Sequence, residues 1–215
     1  WLNLAATLAG FQIETYHAPY GLALDQAETG SALLRHQPDL TLLMLRREDL
    51  HPGLAQPITG LPEAERLALR QACMARLAEI VGRFRAQPVG QILLSLLPST
   101  TLATLGLFDS QAEGSEGAWW SALRQDIAAW IRGHAPSTLL LDLDDVAQHV
   151  GRSRFFDRRY WHSAQFPFSA PAAQEFARRV VAVGTVLKTP KAKVIVLDAD
   201  NTLWGGVIGE DGMEG

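Results

Sequence analysis

The sequence predicts an α/β protein, a three-layer α/β/α sandwich around a parallel sheet. Two observations carry that prediction. Short, nearly all-apolar runs recur at residues 40–45, 92–97 and 139–141, and such runs suit strands buried on both faces of a parallel sheet. Between them lie longer stretches with helical periodicity, so strands and helices alternate as in βαβ units.

Each element has its own signal. The mixed polar and apolar segment Phe11-Gln12-Ile13-Glu14-Thr15-Tyr16 reads as a peripheral strand. Over residues 62–85, Leu67, Met74, Leu77, Val81 and Phe84 share one apolar face. Pro62 suits the first turn of that helix, and Glu63 and Glu65 oppose the positive end of its dipole. Trp119, Leu123, Ile127, Trp130 and Ile131 mark a second helix. A third spans residues 171–187, capped by Ser169 or Ala170, and Pro190 ends it. Residues 97–117, rich in Ser, Thr, Gly and acids, read as a long loop. The domain boundary is placed at Lys188-Thr189-Pro190-Lys191, dividing the chain into 1–188 and 189–215.

Composition narrows the function classes. The 215 residues are 47% hydrophobic and 20% charged, which fits a globular chain with a real core. A net charge of −4 argues against a wide polyanion-binding surface, so no nucleic-acid partner is expected. Arg152, Arg154, Arg158 and Arg159 interleave with Phe155, Phe156, Tyr160 and Trp161, a mix read as interdomain packing rather than base stacking. No apolar run reaches the roughly 18 residues of a membrane span, so no membrane partner is expected. The single cysteine, Cys73, excludes an internal disulfide and is compatible with the cytoplasm, the expected compartment. It reads as a buried small apolar residue. The six histidines are dispersed, with no zinc-ligand spacing. Neither Trp1 nor Gly215 looks like a natural terminus, and the chain reads as cut at both ends.

The chemistry lies near the end. Lys193-Val194-Ile195-Val196-Leu197 is an apolar strand running into Asp198-Ala199-Asp200-Asn201-Thr202, followed by Leu203-Trp204-Gly205-Gly206. Ligands of open α/β sheets bind beyond the carboxyl ends of strands, where these two carboxylates would sit. Asp211-Gly212 adds a turn signal of the kind that requires positive φ.

The Asp-x-Asp-x-Thr string resembles motif I of the haloacid-dehalogenase (HAD) superfamily. With Trp204-Gly205-Gly206-Val207-Ile208-Gly209-Glu210-Asp211-Gly212 intact, it closely resembles the FkbH-like branch. That resemblance implies Asp198 as nucleophile and Asp200 as general acid and base, with Asp198 and the Asp200 backbone carbonyl holding Mg²⁺. Asn201, Thr202, Trp204, Gly205 and Gly206 would form the flap and substrate contacts. It further implies that 1,3-bisphosphoglycerate is dephosphorylated and its glyceryl unit delivered to an acyl carrier protein, as in polyketide-type assembly. The later HAD motifs would have to lie beyond residue 215.

The same resemblance implies an SGNH-hydrolase-like domain in 1–188, carried by the strand around Phe11, Tyr20-Gly21, Pro38-Asp39 and residues 156–169. No Gly-Asp-Ser and no Asp-x-x-His occurs in the chain, and without a base a serine hydroxyl is a poor nucleophile. The domain is therefore expected to be a non-catalytic scaffold or carrier-protein docking module. Alternatives are such a module with no activity of its own, or a plain small-molecule phosphatase. A second string, Asp142-Leu143-Asp144-Asp145-Val146, mimics motif I but lacks the flap, and Asp144 or Asp145 is read there as a helix N-cap. His162 near Asp157 is read as a surface or capping histidine.

Overall fold

The computed structural model describes residues 1–19, 21–96, 98, 103–157, 159–160 and 168–189. It divides into two compact units, Trp1–Gly184 and Thr185–Gly215, and of the second only 185–189 are described. The first unit is α/β, built on three parallel strands: β1 (Leu40–Leu43), β2 (Gln91–Leu96) and β3 (Leu139–Asp142). β2 lies in the middle, with Leu40 opposite Gln91 and Leu93 opposite Leu139.

The helices follow in chain order. Short helices α1 (Leu2–Leu8), α2 (Ala32–His36) and α3 (Arg47–Leu50) flank β1 in sequence. The long α4 (Glu63–Arg85) joins β1 to β2, and α5 (Glu116–His134) joins β2 to β3. After β3 come α6 (Leu143–Val150), α7 (Arg152–Phe155) and α8 (Ala170–Lys188). Caps account for several starts. Pro62 precedes α4 and Glu63 and Glu65 occupy its first turn, while the Ser169 hydroxyl accepts from the Ala172 amide at 3.3 Å to start α8.

Alternation along the strands separates two cores. Leu43, Ile92, Leu94 and Leu96 pack on one face with Cys73, Leu77, Ile80, Val81 and Phe84 of α4 and Trp119, Leu123, Ile127 and Ile131 of α5. Leu93 and Leu141 point the other way, toward Val146, Phe155, Phe168, Ala172 and Phe176. That is the three-layer sandwich the strand runs predict. Two buried hydroxyls on the strands are satisfied by backbone: that of Thr41 donates to the Val89 carbonyl at 2.6 Å, and that of Ser95 to the Leu43 carbonyl at 3.2 Å.

Polar ties show that α4 and α5 run in the same direction, as helices on one face between successive parallel strands must. The Trp119 indole donates to the Arg66 carbonyl at 3.0 Å. Further along, Arg70 pairs with Asp126 at 3.0 Å, and Arg85 donates to the His134 carbonyl at 2.7 Å.

Three expectations change. Residues 11–16 form no strand: Gln12 to Thr15 are exposed, Ile13 included, so no buried face rewards a ladder there. Tyr16 instead donates to the Gln26 side chain at 2.9 Å and lies against the His36 ring. Leu67, expected in the α4 core, is 48% exposed, and Leu69 and Cys73 take its place. The long loop contains a 3₁₀ turn over Gly106–Gln111, and α5 begins at Glu116, inside its expected span. Cys73 is fully buried, and burial pushes its thiol up to about 11, so it behaves as a small apolar residue.

Two loci give stability tests. Gly90 has φ of 65°, and a Cβ there would collide with the Pro38 and Asp39 backbone, where the Gln91 amide donates to Asp39 at 2.9 Å. Gly90→Ala is expected to cost about 1–3 kcal/mol, read by urea denaturation. Glu175 of α8 is buried and joined to Arg178 and Arg179 at 2.7 and 2.8 Å, with His149 at 3.9 Å. The Arg178 hydrogen bond, helped by Arg179 and opposed by burial, holds its carboxyl down at about 2. A folded-state pKa below the ordinary carboxylate value stabilises above that ordinary value and ceases to do so as pH falls through 2. Glu175→Gln is therefore expected to lower Tm near neutrality and to flatten its acid limb below about pH 4.5.

Candidate functional site

In an open parallel sheet the carboxyl ends of the strands are the place for a site. β1 runs out into Met44-Leu45-Arg46-Arg47, and β3 ends on Asp142. α5 presents Glu116, Trp120 and Arg124 one turn apart on one face. These segments meet: the Arg47 guanidinium lies over the Trp120 ring, 5.0 Å from its centroid.

α5 is held firmly at its start. The buried Asp109 carboxylate accepts from the Glu116 and Gly117 amides at 2.8 and 3.0 Å, and from the Ser115 hydroxyl at 2.9 Å. Burial favours the neutral form of Asp109, but these donors outweigh it and hold its pKa below the ordinary value. Glu116, also buried, accepts from the Thr104 amide at 2.8 Å and the Thr104 hydroxyl at 3.1 Å. Its pKa is likewise lowered, against the pull of burial, by hydrogen bonds such as those from Thr104.

One turn beyond Trp120, Arg124 pairs with both Asp142 and Asp144. Asp144 is also bonded to Arg152 at 3.1 Å. Asp142 is the N-cap of α6, accepting from the Asp144 amide at 2.9 Å. This corrects the expectation that Asp144 or Asp145 caps that helix. The strand passes directly into α6, so the last strand residue has the cap geometry, Asp144 turns inward to the arginines, and Asp145 pairs with Arg179. Arg46 is taken up by Asp49, whose carboxylate accepts from its amide at 2.8 Å and its guanidinium at 2.7 Å.

Arg47 stands apart from these pairs. Burial pushes its pKa down, against the opposing charges of Glu48 and Glu116. Its guanidinium stacks on Trp120 and, among the described residues, has no ion pair or hydrogen-bond partner.

Asp198, Asp200, Asn201, Thr202, Trp204, Gly205 and Gly206 all lie outside the described residues, as does His162. Among the described residues no group of three or more His, Cys, Asp or Glu side chains is placed to hold a metal ion. Nor is any described helix long and apolar enough to cross a membrane. The described histidines with contacts are structural: the His51 ring accepts from the Gly53 amide at 3.0 Å, and His134 stacks on Trp130. Asp157 is bonded to Arg159 at 2.7 Å. The Arg47–Trp120–Arg124 cluster was not singled out from sequence, although charges directly after the apolar runs at 40–45 and 139–141 signal it.

The fold and this polar end define an α/β unit with a parallel sheet. No family model matches the chain, and no curated protein matches it either. Among solved structures it is similar to the N-terminal part of the protein BF1531 from Bacteroides fragilis, which contains a phosphatase domain complexed with Mg. The TM-score is 0.69 at 20% identity, and the match covers 98% of this chain and 54% of that one. The likeness shows a shared fold, and this chain spans about half the length of that structure.

Proposed function

We propose that this chain is the front part of a Mg²⁺-dependent, HAD-type phosphoryl-transfer enzyme of the FkbH-like kind. The observation that carries the reading is the string from Asp198 to Gly212. The fold likeness supports it, because the similar Bacteroides fragilis protein carries a phosphatase domain with bound Mg. The substrate would be 1,3-bisphosphoglycerate: the carrier-protein thiol would take the glyceryl acyl group as the carboxyl phosphate leaves, and Asp198 would remove the remaining ester phosphate.

The donor set suits the metal. The Asp198 carboxylate and the Asp200 backbone carbonyl are hard oxygen ligands, the kind Mg²⁺ prefers. Bound there, Mg²⁺ would offset the repulsion between the Asp198 carboxylate and an anionic phosphate. Asp198 would accept the phosphoryl group, forming an O–P bond as the bond to the leaving oxygen breaks. Asp200 would give that oxygen its proton and then take one from water. Thr202, Trp204 and the Gly205-Gly206 pair would close over the substrate.

The first unit would serve as scaffold or carrier-protein dock. Two observations favour this: the chain has neither Gly-Asp-Ser nor Asp-x-x-His, and the described contacts of its histidines are structural.

The test uses the complete protein with 1,3-bisphosphoglycerate and a phosphopantetheinylated carrier protein. Phosphate release and the mass of the carrier protein are followed with Mg²⁺ and with excess chelator. Phosphate release with a glyceryl mass gain, both abolished by chelator, is the expected result. Phosphate release with no carrier gain would leave the plain phosphatase, and release of neither would overturn the reading.

A further inference from the structure

We infer that Arg47, stacked on Trp120 beyond the carboxyl end of β1, is the binding group of an oxyanion subsite in the first unit. Its ligand would carry a phosphate or carboxylate. The argument starts from charge pairing. Around it other cations are already satisfied: Arg46 has Asp49, Arg124 has Asp142 and Asp144, Arg152 has Asp144, and Arg66 donates to the Leu61 and Glu113 carbonyls. Arg47 has none among the described residues.

Nearby carboxylates do not fill that role. Glu116 bears on Arg47 electrostatically, but both its oxygens are committed to Thr104. Glu48 is exposed on the neighbouring position of the same short helix. A guanidinium partly withdrawn from water gains most from an acceptor that matches its planar fork, which phosphate and carboxylate both do. The cation–π contact with Trp120 uses none of the guanidinium's N–H donors. The helix below is rigid because Asp109 and Ser115 secure its first turn, so the ring is placed before any ligand arrives. The position is also the one that open parallel sheets use for ligands.

Binding at this subsite is read directly, so its test needs no turnover. The chain Trp1–Gly215 would be titrated with sodium phosphate and, separately, sodium acetate, each against sodium chloride at equal ionic strength. The Arg47 Nε–H resonance, assigned by its loss in R47K, is the readout. A saturable shift on the order of millimolar affinity with phosphate, acetate or both, absent with chloride, is expected. Response to one anion alone identifies which group the ligand carries. R47M should abolish the saturable binding, followed calorimetrically, with its circular dichroism unchanged. If R47M does not fold, R47K, which keeps the charge and stem, is expected to bind about ten-fold more weakly. Shifts equal to those with chloride, or binding undiminished in the folded variant, would overturn the inference.

Discussion

Asp144→Ala is expected to destabilise the first unit by about 3–5 kcal/mol, because it leaves Arg124 half uncompensated in the interior. The side chains of Asp144 and Arg124 are only 6% and 18% exposed. Asp144 joins the start of α6 to α5 through Arg124, and to α7 through Arg152. Coulombic screening by water is weak at such a site, so deletion of one partner costs more than at a surface pair. For a chain of this size a loss of that order lowers Tm by roughly 10 °C. The neighbouring Arg178–Glu175 bond makes a useful contrast, since the Arg178 side chain is 65% exposed. Arg178→Ala should cost only about 1 kcal/mol or less. Urea denaturation of the single variants and of Asp144→Ala/Arg124→Met decides the matter. The double variant should recover part of the loss, since it removes the orphaned cation. A cost for Asp144→Ala no greater than that of Arg178→Ala would show that the buried pair contributes nothing special.

Why the sequence revealed some of this and not the rest follows from what each signal depends on. The strands at 40–43, 91–96 and 139–142 are legible as short apolar runs; β2 is buried on both faces from Ile92 to Leu96, while β1 and β3 are covered only in part. α4 and α5 are legible because one stripe meets the sheet. Yet Leu67 shows the limit: apolar spacing alone does not say on which side of the stripe the core lies. Residues 11–16 have a strand-like composition, but a strand exists only where another supplies hydrogen bonds and a covered face, and local sequence carries neither. The Arg47–Trp120 stack and the Arg124–Asp144 pair join residues some 70 and 20 positions apart in sequence, so no local pattern could announce them. The proposed motif I is the reverse case: the resemblance rests on a continuous string, so that reading calls on no tertiary information.

That string supports the prediction with the largest effect on activity. In the complete protein, Asp198→Asn is expected to remove turnover altogether, whereas Asp200→Asn should slow it roughly 10²–10⁴-fold. The two differ because of what an amide cannot do. At 198 it has no anionic oxygen to form a bond to phosphorus, so no aspartyl phosphate arises. At 200 it leaves the nucleophile intact but cannot pass a proton to the departing oxygen or take one from water. Loss of general acid and base help therefore slows both halves of the reaction without forbidding the first. Single-turnover measurements separate the cases. Asp200→Asn should accumulate an acid-stable, hydroxylamine-sensitive phosphoryl adduct within the first turnover, and Asp198→Asn should give none. Equal residual rates in the two variants, or an adduct in the Asp198→Asn protein, would assign the attacking oxygen to a different residue. Full activity in either variant would remove the pair from the chemistry.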